Sequence, residues 1–175
     1  MGPELRAAVV GDAGAIAGVQ VRSWQAAYAH LLPPEWLASM SVDERTAVWA
    51  RSIAAGEPCV AVAEVAGRTV GFVAFGPSRD KDAAAATHEV WALYLEPADW
   101  STGLGRRLLG HALAAMQAAG AASVSLWAIV GNARAARFYE RAGLRCDAGS
   151  RADFEIAGVA LQEDRYVLEL GNNDG

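Results

Sequence analysis

Three groups of residues in this chain are equipped for chemistry: a glycine turn followed by arginines, an asparagine and a tyrosine seven positions apart, and a glutamate inside an apolar run. The turn is Trp100-Ser101-Thr102-Gly103-Leu104-Gly105-Arg106, with Arg107 behind it. Glycines let backbone N–H groups converge without Cβ interference, and a helix beginning there adds partial positive charge. Arg106 and Arg107 fall in the first helical turn, where acidic residues are normally favoured, so a bound pyrophosphate would neutralise a misplaced charge. Other phosphate motifs fit worse. No lysine follows the turn as a Walker A loop requires, and Leu108 stands where a dinucleotide fingerprint has its third glycine. Alone, the turn specifies an anionic ligand and no more.

Asn132 and Tyr139 are two helical turns apart and share a face. A phenol is protonated at neutral pH and can donate a proton. Glu89 stands out in the run Glu89 to Leu95, where alternation puts Glu89, Trp91 and Leu93 on one face and Val90, Ala92 and Tyr94 on the other. It reads either as a strand-end carboxylate in a salt bridge or as a general base, acting directly or through water. His88, Glu96 and Asp99 are the other acid–base groups nearby. Trp24 and Tyr28, four apart on one helix, read as core packing or, with Trp36 and Trp91, as the lining for an apolar or cationic ligand.

These groups need elements to hold them. Leu5 to Val10 reads as a strand, and Asp12 as the N-cap of a helix running to about Ala29. Leu31-Leu32-Pro33-Pro34 breaks that helix. Ser41 with Glu44 forms a capping box for a second helix ending at Ala55. Cys59 to Val65 and Thr69 to Phe75 read as a hairpin, Pro77 to Ala86 as a mobile loop, and Glu89 to Leu95 as a strand. A helix from Gly103 to Ala119 presents Leu104, Leu108, Leu109, Ala112, Leu113 and Met116 on one face. Ser123 to Val130 is a buried strand, and Asn132 to Ala142 a helix closed by Gly143. Phe154-Glu155-Ile156 and Arg165 to Leu170 read as closing strands, and Gly171 to Gly175 as a disordered tail. The order describes one α/β (α+β) domain over residues 1–170, with helices on both faces of a sheet.

Composition narrows the partners. The chain has 175 residues, 53% hydrophobic, with a net charge of -5, which disfavours a nucleic-acid partner because phosphate-backbone binding needs concentrated basic surface. Two distant cysteines, Cys59 and Cys146, support neither a disulfide framework nor a zinc site; they read as buried, reduced residues. His30 and His111 lack partners at metal-ligand spacing, so no metal is expected. No segment has the length and apolarity to span a bilayer and no signal core opens the chain, so a cytoplasmic location is expected.

With its flanks, the glycine turn resembles the GNAT superfamily of N-acetyltransferases, whose motif Gln/Arg-x-x-Gly-x-Gly/Ala is matched at Gly103 and Gly105. Leu93-Tyr94-Leu95-Glu96-Pro97 looks like the strand end that precedes that motif. The family's second motif, Asn-x-x-Ala-x-x-Phe-Tyr-Glu-x-x-Gly-Phe, is matched by Asn132, Ala135, Phe138, Tyr139, Glu140 and Gly143, with Leu144 in the last place. Trp100 departs from the pattern, standing where Gln or Arg is usual; Arg106 or Arg107 would supply the lost charge.

The resemblance implies a GNAT fold with a mixed sheet of six to seven strands, and acetyl transfer from acetyl-coenzyme A to a primary amine, a small molecule being favoured over a protein N-terminus or lysine. Leu93, Tyr94, Leu95, Ser101, Thr102, Gly103, Leu104, Gly105, Arg106, Asn132 and Ala135 would hold the cofactor. Tyr139 would be the general acid and Glu89 the base, while Trp24, Tyr28 and Trp91 would line the acceptor pocket. It also implies pairing of the closing strands into a homodimer. A non-catalytic acyl-coenzyme A sensor is the alternative, disfavoured because both Tyr139 and Glu89 are present.

Overall fold

A computed structural model describes residues 2–171; the rest of the expected tail, 172–175, lies outside the described residues. Seven strands form one sheet in the order β1-β2-β3-β4-β5-β7-β6: β1 Glu4–Ala7, β2 Cys59–Val65, β3 Arg68–Pro77, β4 Thr87–Leu95, β5 Ser123–Ile129, β6 Arg145–Ile156 and β7 Val159–Glu169. Every neighbouring pair is antiparallel except β4 and β5, which run parallel and pair only from Thr87 to Glu89 against Ser123 to Ser125. Beyond that point the two strands part. A parallel pair needs a crossover, supplied here by a helix after the glycine turn.

The helices are α1 Ala13–Ala27, α2 Pro34–Ala38, α3 Val42–Ala55, α4 Leu104–Ala118 and α5 Ala133–Arg141. α4 and α5 cover one face, where Val73, Phe75, Leu95, Leu108, Leu109 and Met116 are buried together. α1 and α3 cover the other, around Ile16, Val19, Trp49, Val62 and Phe72. Trp24, Trp36, Tyr28, Leu32 and Leu161 form a third cluster beside α2. Among the described residues, no helix is long and apolar enough to cross a membrane.

Local signals explain most boundaries. Ser41 accepts a hydrogen bond from the Glu44 N–H at 3.1 Å, as a capping box requires, and Gly56 ends α3 with φ of 74°. The Pro33-Pro34 pair does more than break α1: Pro34 is the first residue of α2, a position where a missing N–H costs nothing. Asp12 precedes α1 but does not cap it. Its carboxylate instead takes two hydrogen bonds from Arg6 and one from the Val9 N–H, and Arg6 also reaches Glu64.

Arg6 is the main cause that lowers the Asp12 pKa, with the Val9 bond adding to it against burial. A lowered carboxylate stabilises the fold fully above its unfolded pKa and loses that contribution as pH falls through the folded value. Arg6→Met should therefore cost about 1 kcal/mol at neutral pH, with the gap to wild type closing below about pH 4, as denaturant melts across pH would measure.

Two expectations fail here. Cys59 and Cys146 are both exposed. The loop after β3 is pinned: Asp80 accepts from Trp127 Nε1 at 3.0 Å, and Arg165 pairs with Asp80, Asp82 and Asp147.

Candidate active site

The gap between β4 and β5 opens into a cavity of about 480 Å³, a size suited to a small ligand or a cofactor arm. Leu93, Tyr94 and Leu95 form its floor, the glycine turn and the start of α4 one end, α5 a wall, and Ser23 and Ala27 of α1 the opposite rim. Gly103 is the N-cap of α4 with φ of 87°, a left-handed conformation that disfavours other residues, and no side chain caps the helix. The N–H groups of its first turn are thus left for a ligand, and the macrodipole favours an anion there. A Cβ on Gly105 would stand 3.3 Å from Leu95 Cδ1 and 3.4 Å from the Phe138 ring, so glycine permits the close approach of helix, strand and α5.

Four guanidiniums line the cavity: Arg106 on α4 and Arg134, Arg137 and Arg141 on α5. The α5 trio follows helical spacing and forms a basic stripe that the sequence itself displays, although the expected cofactor residues include only Arg106. Trp100 takes a role of its own. Its Nε1 donates to the Leu95 carbonyl at 3.2 Å, and the Arg134 guanidinium lies over its ring, 3.6 Å from the centroid. The tryptophan thus offers a platform for a cation rather than a polar side chain.

Asn132 is the N-cap of α5, its Oδ1 accepting from the Ala135 N–H at 3.2 Å and its Nδ2 facing the Tyr28 hydroxyl at 3.5 Å. Tyr139 shares its face, as the spacing required, and both border the cavity. Burial pushes the Tyr139 phenol well above its usual range, reinforced by Tyr94 and Tyr28 and opposed by Arg134. It makes no hydrogen bond among the described residues and stacks obliquely on Tyr166, with ring centroids 5.9 Å apart. The result is a protonated hydroxyl free to donate into the cavity.

Of the residues expected to hold the cofactor, Leu93, Tyr94, Leu95, Ser101, Gly103, Gly105, Arg106, Asn132 and Ala135 border the cavity. Two do not. The Thr102 hydroxyl donates to the Asp99 carbonyl at 2.7 Å, tying the turn to the short 3-10 helix before it, and the Leu104 side chain is buried in the core.

Glu89 departs further from expectation. It is 2% exposed, and both oxygens are engaged by Arg79: Oε2 accepts from the backbone N–H at 2.8 Å and from Nε, while Oε1 pairs with Nη2. Three of its acceptor positions are thus taken by Arg79, and it does not border the cavity. The face assignment fails too, because Trp91 is a bulge: Ala74 pairs with Ala92 and Phe75 with Val90. The extra residue resets the alternation. Val90 therefore packs with Leu93 and Leu95 under α4, whereas Trp91 joins Ala92 and Tyr94 on the α1 side.

Nor do Trp24, Tyr28 and Trp91 meet as one lining. Trp24 stacks on Tyr28 at 4.6 Å between ring centroids and on Trp36 at 6.3 Å, and the Tyr28 hydroxyl faces Asn132 at the cavity wall. Trp91 lies under the Arg79 guanidinium and donates to the Pro77 carbonyl.

A family model described as the acetyltransferase (GNAT) family matches residues 21–144, which span the turn, the gap and α5. The chain belongs to this family. Its activity class is acetyl-coenzyme A–dependent N-acetyl transfer. The uncharacterized N-acetyltransferase YuaI of Bacillus subtilis (strain 168) is 31% identical over 160 residues, covering 91% of this chain and 88% of that one. YncA of Salmonella typhimurium, solved with its cofactor acetyl-coenzyme A, has the same fold at a TM-score of 0.74 and 23% identity, with 100% and 98% of the two chains covered. PaiA N-acetyltransferase of Thermoplasma acidophilum, solved with coenzyme A, gives a TM-score of 0.71 at 21% identity over 95% of this chain and 100% of that one. The acetyltransferase has no cluster of three or more His, Cys, Asp or Glu suited to a metal among its described residues.

Proposed function

We propose that this acetyltransferase passes the acetyl group of acetyl-coenzyme A directly to the primary amine of a small acceptor. One observation carries the reading: the strand gap is floored by Leu93 to Leu95, walled by Tyr139, and rimmed by an uncapped helix start and four arginines. Acetyl-coenzyme A supplies an activated thioester. The first-turn N–H groups of α4, with Arg106, Arg134, Arg137 and Arg141, bind its phosphates. Unpaired backbone groups of β4 at Leu93 hold its pantetheine arm, while the Leu95 carbonyl is occupied by Trp100. Tyr139 holds a proton at its hydroxyl oxygen and gives it to the departing sulfur. Asn132 sets the start of α5 and thereby aims Tyr139. In this reading Glu89 is a positioning residue that fixes Arg79 against Trp91. β6 lies at the sheet edge with its outer backbone groups free, which supports a homodimer formed along that strand.

Thiol release from acetyl-coenzyme A across a panel of small primary amines tests the proposal, alongside acetyl-coenzyme A binding by calorimetry. Binding with turnover on at least one amine is expected; failure to bind any acyl-coenzyme A would overturn it, and binding without turnover on any amine would favour the sensor. Trp100→Ala removes the platform under Arg134, so the KM for acetyl-coenzyme A should rise about tenfold with kcat little changed.

A further inference from the structure

The arginine end of the cavity is rich in hydrogen-bond donors. The first-turn N–H groups of α4 and the guanidiniums of Arg106, Arg134, Arg137 and Arg141 all donate. Three acceptors along the cavity wall are engaged. The Leu95 carbonyl takes a hydrogen bond from Trp100 Nε1, Asn132 Oδ1 from the Ala135 N–H, and the Asp99 carbonyl from the Thr102 hydroxyl. The side chain of Asp99 is not engaged.

Asp99 is the one carboxylate among the described residues that line the cavity. It ends the short 3-10 helix Pro97–Asp99, between the Leu95 end of the floor and the Gly103 N-cap of α4. Its Oδ2 is closed off from solvent and has no hydrogen-bond partner among the described residues. Neither Asp99 nor any of the four cavity arginines enters an ion pair there. A carboxylate beside a phosphate seat weakens the binding of a polyanion by charge alone. A shielded oxygen without a donor costs free energy until one completes it. A ligand that carries its own donor close to its phosphates offsets both costs at once. Coenzyme A has such a donor: the first polar group beyond its pyrophosphate, on the way to the sulfur, is a secondary hydroxyl.

We infer that Asp99 accepts a hydrogen bond from this hydroxyl and so sets how far the cofactor arm runs into the strand gap. The inference deepens the acetyltransferase reading and rests on it. Asp99 acts in binding, and no bond is made or broken at its carboxylate. With the phosphates on the start of α4 and the hydroxyl on Asp99, the arm is fixed at two points before it reaches Leu93 and Tyr139. Replacing the side chain leaves the local backbone ties in place, since the Asp99 N–H bonds the Glu96 carbonyl and the Thr102 hydroxyl bonds the Asp99 carbonyl.

The test is calorimetric titration of three probes into wild type, Asp99→Ala and Asp99→Asn. The probes are acetyl-coenzyme A, its analogue lacking the arm hydroxyl, and adenosine bisphosphate, which is the nucleotide end without the arm. Asp99→Ala should weaken acetyl-coenzyme A about tenfold, and removing the hydroxyl from the ligand should weaken wild-type binding by a similar factor. The two losses should not add, so Asp99→Ala binds acetyl-coenzyme A and the analogue within about twofold of each other. Asp99→Asn retains an acceptor oxygen and should hold acetyl-coenzyme A within about threefold of wild type. Adenosine bisphosphate should bind Asp99→Ala as well as wild type or better, because only a repelling charge is removed. Acetyl-coenzyme A bound by Asp99→Ala as tightly as by wild type would overturn the inference, and so would losses that add in full. A loss equal across all three probes, with a lowered Tm, would make Asp99 merely structural and overturn it too. So would a wild-type chain that binds the analogue as tightly as acetyl-coenzyme A, a result that needs no variant. A wild-type chain that binds no acyl-coenzyme A would instead sink the reading on which the inference rests.

Discussion

Tyr139→Phe is expected to lower kcat about 100-fold or more, with the KM for acetyl-coenzyme A within about twofold of wild type. The substitution removes one oxygen and leaves the ring, so its packing on Phe138 and Tyr166 persists. What is lost is a proton donor that burial keeps in its neutral form. Because the hydroxyl makes no hydrogen bond among the described residues, the substitution breaks no structural tie there, and the melting temperature should stay close to wild type. Pre-steady-state thiol release would separate the chemical step from binding. A kcat reduced less than about fivefold would remove Tyr139 from the reaction and return the proton-donor role to water.

Gly105→Val should weaken coenzyme A binding about 100-fold, equivalent to about 2.7 kcal/mol, while the chain still folds. The Cβ alone would crowd Leu95 Cδ1 and the Phe138 ring at 3.3 and 3.4 Å, and the added methyls must push either into Phe138 or across the first-turn N–H groups. Either movement spoils the anion seat, because those N–H groups act only when they converge. Gly105→Ala is the control: its backbone is helical, so the gain in helix propensity of about 1 kcal/mol offsets the squeeze and affinity should change little. Calorimetric titration of coenzyme A into both variants decides it, and full affinity in Gly105→Val would show that the phosphates bind elsewhere.

Signals carried by near neighbours in the chain are legible in the sequence alone. β2 runs over the residues its β-branched pattern marks, Ser41 caps α3, and Gly143 follows α5 with φ of 95°. The Asn132–Tyr139 pairing on the cavity wall likewise follows from helical spacing. The features that escape such reasoning depend on partners distant in sequence or on counting across strands. The Trp91 bulge is a mismatch of two residues against one on β3, and no single strand displays it. Glu89 looks like an isolated carboxylate in its strand because Arg79 lies across a loop ten residues earlier.

The parting of β4 and β5 has a consequence for traffic. A sheet normally separates the solvent on its two sides, but here one break lets the cavity run from the arginines of α4 and α5 to Ser23 and Ala27 of α1. Donor and acceptor, on the proposed reading, arrive from opposite directions and meet in the plane of the strands. Neither has to leave for the other to enter. Such an arrangement dispenses with a covalent relay on the protein, so the acetyl group need never be parked on a side chain between two visits to the same doorway.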